Sequence, residues 1–113
     1  MGARDYLGEF ENVVLLALAR LEDDAYGMTI HEEILETTGR DVSIPAVYVT
    51  LSRLEKKEYV VARVEAGSDD RDGRARKFYR LAPAGVEALE RSRAMLDQLW
   101  DGVRLQAGKG RAS

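Results

Sequence analysis

The chain has 113 residues and a net charge of −3, with 45% hydrophobic and 33% charged residues. This balance predicts one folded domain with a modest core and excludes a disordered chain. The longest apolar run, Val13 to Ala19, is far shorter than the roughly 20 residues that span a bilayer, and the first residues do not resemble a signal peptide. There are no cysteines, which excludes disulfides and thiolate metal sites and favours a cytoplasmic location.

The first two predicted elements are helices. Apolar residues recur at spacings of three and four from Leu7 to Leu21, on a face wide enough to predict burial on more than one side. A second helix is predicted from about Tyr26 to Thr38, followed by Gly39 in the left-handed conformation that ends many helices. Two alternatives remain for the start of this helix: a cap by Asp24, or a later start with a Thr29–Glu32 capping box.

The third predicted helix lies in the stretch SIPAVYVTLSRLEKK. Ser43 suits the N-cap, and Pro45 is tolerated in the first turn because amide hydrogens there lack helical partners. At about 100° per residue, one side of this helix is apolar and the other carries cations. The apolar side consists of Ile44, Val47, Leu51 and Leu54, and the opposite side of Pro45, Ala46, Val49, Arg53, Lys56 and Lys57, with Tyr48 and Thr50 on the flanks.

A hairpin and a long helix complete the predicted order. Val60, Ala62 and Val64 alternate in a strand predicted from Tyr59 to Glu65, and a turn-rich loop follows over residues 66–74. In the second strand Lys77, Tyr79 and Leu81 are predicted on one face and Phe78 on the other. The last helix is predicted from Pro83 to about Val103.

This order predicts a mainly α fold with a small β-hairpin, a winged helix-turn-helix with an added C-terminal dimerisation helix. We assign residues 1–82 to a DNA-binding domain, 83–105 to the dimerisation helix and 106–113 to a disordered tail.

Positive charge is concentrated in the middle third of the chain. Residues 40–80 hold ten Lys and Arg against seven Asp and Glu, a local charge of +3, which leaves −6 for the remainder. A local basic patch is typical of a nucleic-acid site, although solvated surfaces also vary in charge.

The cations flank the predicted helix-turn-helix, whose second helix lies in the major groove of DNA in proteins of this kind. Small residues at its start permit close approach and contact with thymine methyl groups, while arginine binds guanine or phosphate. The predicted recognition-helix contacts are Ser43, Pro45, Ala46, Tyr48, Val49, Thr50, Arg53, Lys56 and Lys57, and the predicted wing contacts are Arg71, Arg74, Arg76 and Lys77. Three aspartates in the same loop weaken its positive field, so we expect modest affinity and strong salt dependence.

The sequence resembles the PadR family of bacterial transcriptional regulators over about Leu7 to Leu99. The residues that carry the resemblance are Tyr26-Gly27-Met28 with Ile30, Ala46-Val47-Tyr48 with Leu51 and Arg53-Leu54-Glu55, and Arg76-Lys77-Phe78-Tyr79-Arg80-Leu81 followed by Pro83-Ala84-Gly85. The resemblance implies a winged helix-turn-helix, a homodimer built on the terminal helices, and a repressor role that a small molecule often relieves. It also implies the compact branch of the family, with a single C-terminal helix.

Two positions depart from the family pattern. Glu58 stands where the family usually has glycine at the turn into the strand, at an expected cost of about 1 kcal/mol. Ala82 stands where threonine usually caps the last helix, and losing that cap costs roughly 0.5–2 kcal/mol.

The last helix carries an apolar seam at near-heptad spacing, which favours a two-stranded contact between protomers, although it could pack on the chain's own core. The predicted dimer interface consists of Leu89, Leu96, Leu99, Trp100 and Val103. A two-fold dimer would place two recognition helices about one DNA turn apart on a pseudo-palindrome. Trp100 is also a candidate to stack on a small aromatic effector, the alternative being simple interface packing.

An enzyme is not predicted. The only histidine, His31, lies on a helix, where such residues are usually structural, and one histidine without cysteines makes no usual zinc site. No cofactor, metal or membrane partner is expected. The competing interpretation is a winged-helix module that binds protein rather than DNA, which the acidic composition and the loop aspartates would favour.

Overall fold

A computed structural model of the chain describes residues 6–67 and 75–110. In these residues four helices and two antiparallel strands follow in the order α1 (Glu9–Leu21), α2 (Gly27–Thr38), α3 (Ile44–Lys56), β1 (Val60–Glu65), β2 (Arg76–Leu81) and α4 (Pro83–Trp100). A single 3-10 turn, Glu22–Asp24, joins α1 to α2. The predicted order of helices and hairpin is therefore confirmed. No helix in the described ranges is long and apolar enough to cross a membrane.

Neither predicted cap of α2 is right. The helix begins at Gly27, and the Thr29 hydroxyl accepts the amide hydrogen of Tyr26 at 2.9 Å while it donates to the Asp24 carbonyl at 2.6 Å. The hydroxyl thus closes the first turn from inside the helix, where it lies three residues after the N-cap. At the other end, Gly39 adopts the expected left-handed conformation with φ 77°.

The hydrophobic core lies between α1, α2, α3 and the base of the hairpin. The predicted inner stripe of α3 is confirmed at Val47, Leu51 and Leu54, which are fully buried, whereas Ile44 in the first turn is 36% exposed. The other fully or nearly fully buried side chains of this core are Val14, Leu15, Leu18, Ala25, Ile30, Ile34 and Val60.

The hairpin is covered on both faces near its base. Ala62 pairs with Tyr79 and Arg63 pairs with Phe78 across the two strands. Tyr79 enters the core while Phe78 packs on the other side, so the predicted placement of these two residues on opposite faces is confirmed, and both are buried. Val64, which was predicted to alternate inward, is 65% exposed because its strand has passed beyond the core at that point.

Both departures from the family pattern lie in the conformations that the sequence suggested. Glu58 adopts a left-handed φ of 64°, and the following amide of Tyr59 donates to the Leu54 carbonyl at 3.0 Å, which closes the end of α3. Ala82 occupies the N-cap of α4 in an extended conformation, with no side-chain hydrogen bond to the helix.

Replacing Ala82 with threonine is expected to raise the melting temperature by roughly 2 to 8 °C, because a hydroxyl at the N-cap accepts a free amide hydrogen of the first turn. Circular dichroism during heating measures the change. Ala82→Val is the matched control, since valine has the shape of threonine without its hydroxyl and reports the steric cost at this buried site. A threonine variant no more stable than the valine variant would contradict the cap.

The last helix is shorter than predicted. α4 ends at Trp100, and Gly102 follows with φ 76°, a conformation that glycine adopts without strain. Val103 therefore lies beyond the helix, and the predicted repeat of seven has only Leu89 and Leu96 within it. The described residues after Gly102 have no regular secondary structure.

Candidate nucleic-acid interface

The outer face of α3 is open to solvent along its whole length. Its start is fixed by Ser43, whose Oγ accepts the amide hydrogen of Ala46 at 3.1 Å and so serves as the predicted N-cap. Val49 is 57% exposed in the middle of the helix, with exposed Arg53 and Lys56 in the following turns. A compact apolar side chain followed by two cations suits a face that contacts another molecule.

Ser52 belongs to this face and was not among the predicted contacts. It is exposed, and at 100° per residue it lies about 60° from Val49 and about 40° from Lys56 around the helix. Its hydroxyl is a donor and acceptor that can bond either a base edge or a phosphate oxygen. Its angular position between Val49 and Lys56 could have identified it from the sequence, but a neutral side chain gives no charge signal.

One predicted contact is corrected by its burial, and a second has a partner within the protein. Thr50 is 5% exposed, because it lies on the side of α3 that faces the protein, and it cannot reach a ligand there. Lys57 donates to Glu11 at 2.9 Å, and the Glu11 side chain is only 9% exposed. This ion pair joins the end of α3 to the start of α1, so Lys57 serves the contact between helices.

The electrostatics of Glu11 agree with that role. Burial alone would raise the pKa of this carboxyl group, but the opposing interactions prevail and lower it. They are a hydrogen bond from the Gly8 amide, the hydrogen bond and charge of Lys57, and the charge of Arg53. Glu11 therefore holds a negative charge inside the α1–α3 contact, and it draws Lys57 away from the exposed face.

Tyr48 is shared between the contact of two helices and the surface. A Cβ atom added to Gly27 would lie 2.3 Å from Cζ of the Tyr48 ring, so the ring rests directly on the first residue of α2. The residue nevertheless remains 47% exposed, which leaves part of the ring accessible beside the start of α3. Ala46, about 200° away around α3, is half-buried on the opposite flank.

The two predicted wing cations that lie in the described ranges already have partners within the protein. Lys77 donates to Glu55 of α3 at 2.9 Å, and this hydrogen bond is the main reason that the pKa of Lys77 is raised. The Arg76 guanidinium lies 4.1 Å from the centre of the Tyr26 ring. The other two, Arg71 and Arg74, lie outside the described residues.

A second exposed surface runs along α4. Leu96, Leu99 and Trp100 are 51%, 66% and 57% exposed, and Val103 beyond the helix end is 49% exposed. A groove of about 830 Å³ between α1 and α4 lies beside them, lined by apolar residues that include Leu16 and Leu89 and by several polar and charged side chains. Of the predicted interface residues, Leu89 alone packs against the core.

His31 has a structural contact at the helix-turn-helix. Its Nε2–H donates to the Val42 carbonyl at 2.8 Å, which ties α2 to the turn that precedes Ser43. Residues 6–67 and 75–110 contain no group of three or more His, Asp and Glu that could hold a metal ion.

Comparison with known proteins gives one consistent family. The sequence model of the PadR-like family of transcriptional regulators matches residues 14–91. The chain is 36% identical over 78 residues to Transcriptional regulator Rv3488 of Mycobacterium tuberculosis, which covers 69% of this chain and 68% of that protein.

Solved structures share the fold. A PadR family transcriptional regulator from Eggerthella lenta superposes with a TM-score of 0.65 at 26% identity, covering 83% of this chain and 81% of the other. A PadR-like transcription factor from Bacteroides fragilis gives a TM-score of 0.71 at 23% identity, covering 81% and 84% of the two chains.

Proposed function

Because the chain belongs to the PadR-like family of transcriptional regulators, we propose that it represses transcription as a homodimer that binds a pseudo-palindromic DNA site through α3. The observation that carries this proposal is the open face of α3, on which Val49, Ser52, Arg53 and Lys56 are all exposed. The hairpin lies beside that face, since Lys77 of β2 bonds Glu55 of α3.

The residues of the face divide by chemistry. Pro45 and Val49 are compact and apolar, so they allow the helix to approach base edges and contact thymine methyl groups. Ser52 and Arg53 supply hydrogen bonds to bases or phosphates, and Lys56 supplies charge for a phosphate. Ser43 sits at the helix N-terminus, where an exposed hydroxyl and the helix dipole favour a phosphate oxygen.

The wing adds contacts outside the major groove in this proposal. Arg71 and Arg74 are the proposed phosphate contacts of the loop between the strands. Lys77 is 46% exposed at its side chain despite its bond to Glu55, so it remains within reach of a nearby phosphate. Such electrostatic contacts release counterions and make binding steeply dependent on salt.

The proposed dimer uses the apolar surface of α4. A second copy could insert its Leu96, Leu99 and Trp100 into the groove between α1 and α4, where they would leave water. Two-fold symmetry would then present two copies of α3 to the same side of a duplex. Trp100 at this interface is the proposed contact for a small aromatic effector, which would alter the dimer and thereby release DNA.

Removing single charges from the proposed face tests DNA binding. Arg53→Gln and Lys56→Gln are each expected to lower the dependence of log affinity on log salt by about 1 per protomer, and to weaken binding. Fluorescence anisotropy with the duplex upstream of the chain's own gene, titrated at several salt concentrations, measures both quantities.

The control is Lys109→Gln, which removes the same charge from the exposed C-terminal segment and should leave affinity and salt dependence unchanged. If the unaltered protein bound no duplex even at low salt, the regulator proposal would fail and the protein-binding module would be favoured. Equal effects of all three variants would instead indicate nonspecific attraction by total charge.

A further inference from the structure

Two arginines and two aromatic rings form a continuous stack across one face of the hairpin. The Arg76 guanidinium lies 4.1 Å from the Tyr26 ring centre, and the Arg63 guanidinium lies 4.7 Å from the Phe78 ring centre. The Tyr26 and Phe78 rings meet edge to face, with centres 5.2 Å apart and planes at 71°. We call these four residues the aromatic clamp. Both distances are well inside the range in which a cation is attracted to a ring face.

The clamp joins the hairpin to the first helix of the helix-turn-helix. Tyr26 is the N-cap of α2, whereas the other three residues belong to β1 and β2. Two hydrogen bonds to backbone carbonyls lie beside it: the Tyr79 amide donates to the Ala25 carbonyl at 2.8 Å, and the Arg63 guanidinium donates to the Asp23 carbonyl at 3.3 Å. The hairpin is therefore attached to the segment before α2 along one whole side.

On its other side the base of the hairpin is held by Val60 and Tyr79 in the core, and β2 is attached to α3 by the bond between Lys77 and Glu55. This pair is largely exposed, and exposed ion pairs stabilise a structure only weakly. The clamp is less exposed, since Phe78 is buried and Tyr26 and Arg76 are half-buried, with Arg63 as its one exposed member. Beyond the part of the hairpin that is held in the core, we therefore expect the clamp to resist tilting more than the Lys77–Glu55 pair does.

We propose that the aromatic clamp fixes the orientation of the wing before DNA is bound, with Tyr26 as a positioning residue that touches no DNA. The inference rests on the proposed function and reassigns Arg76, whose guanidinium stacks on Tyr26 and does not serve as a phosphate contact. A wing that is held in its binding orientation loses less conformational freedom on association, so the same contacts give a higher affinity.

The experiment compares Tyr26→Leu, Tyr26→Phe, Arg76→Gln and the double variant Tyr26→Leu with Arg76→Gln. Affinity for the duplex upstream of the chain's own gene is measured by anisotropy at several salt concentrations. Tyr26→Leu and Arg76→Gln are each expected to weaken binding by about threefold to tenfold, because each removes the cation–ring contact. The double variant is expected to bind as the weaker single variant does, and Tyr26→Phe, which keeps the ring, to bind as the unaltered protein.

Salt dependence separates positioning from direct contact. A clamp residue changes affinity without changing the number of phosphates contacted, so the slope of log affinity against log salt should stay the same in every variant. A slope lower by about 1 in Arg76→Gln, with effects that add to those of Tyr26→Leu, would overturn the proposal and make Arg76 a phosphate contact. Unchanged affinity in Tyr26→Leu would overturn it equally.

Amide hydrogen exchange of the protein without DNA provides a second readout. The Tyr79 amide and its neighbours in β2 are expected to exchange faster in Tyr26→Leu than in Tyr26→Phe, because the hairpin opens more often without the ring. Equal exchange in the two variants would overturn the clamp whatever the protein binds. Failure of the unaltered protein to bind DNA would overturn the proposed function, and hydrogen exchange would then decide the clamp by itself.

Discussion

Replacing Gly85 with alanine is expected to destabilise the protein by about 1 to 3 kcal/mol or more, although alanine favours helix. Gly85 lies in the first turn of α4 against the turn between α3 and β1. A Cβ atom there would come within 2.1 Å of the Tyr59 carbonyl oxygen and 3.1 Å of its carbon. Both are backbone atoms, so no rotation of a side chain can relieve the overlap.

The structure has little room to shift α4 away. The same Tyr59 oxygen accepts the Ala82 amide hydrogen at 3.0 Å, so moving the helix start would break that bond as well. Helix propensity alone predicts the opposite sign, a gain of about 1 kcal/mol for alanine over glycine in a helix. The sign of the change in unfolding free energy therefore shows whether the steric overlap or the helix propensity prevails at this site.

Urea unfolding followed by circular dichroism measures the change in the free energy of unfolding. Gly108→Ala is the matched control, because no atom lies within 4 Å of the position its Cβ would occupy. We expect that variant to be as stable as the unaltered protein. If Gly85→Ala were equally stable or more so, the close approach of α4 to Tyr59 would be wrong.

Elements with a single buried face could be predicted from the sequence. The stripe of Val47, Leu51 and Leu54 identified both α3 and its inner side, since apolar spacing within one helix depends only on that helix. The Ser43 cap and the left-handed Gly39 were likewise local features. Together they were enough for the helix-turn-helix and for most of its open face.

The features that could not be predicted depend on contacts between residues distant in the sequence. Phe78 is buried because Tyr26, far away along the chain, packs against it. No sequence pattern within β2 predicts such a partner. Lys57 is drawn from the open face by Glu11 of another helix in the same way. A surface cation and a paired cation look identical in a sequence, so the pairing of Lys57 could not be predicted.

Leu96→Asp is expected to convert the proposed dimer into monomers and to weaken DNA binding by about 100-fold or more. Leu96 is half exposed on α4 and lines the groove between α1 and α4 that the partner would occupy. Moving a carboxylate from water into the apolar part of the interface costs far more than the lost apolar contact. Two linked recognition helices gain roughly 100-fold to 10,000-fold in avidity over one, and the monomer would lose that gain.

Size-exclusion chromatography with light scattering at micromolar concentration measures the mass, and anisotropy measures the affinity for DNA. Gln98→Asp is the matched control, because it places the same carboxylate about 200° around α4 at another exposed position. That variant should stay dimeric and bind DNA as before. A Leu96→Asp variant that stayed dimeric would place the interface elsewhere. If the unaltered protein were monomeric, we would expect the exposed Leu99 and Trp100 to contact a different partner. A continuous apolar surface of this kind on α4 is costly to expose to water.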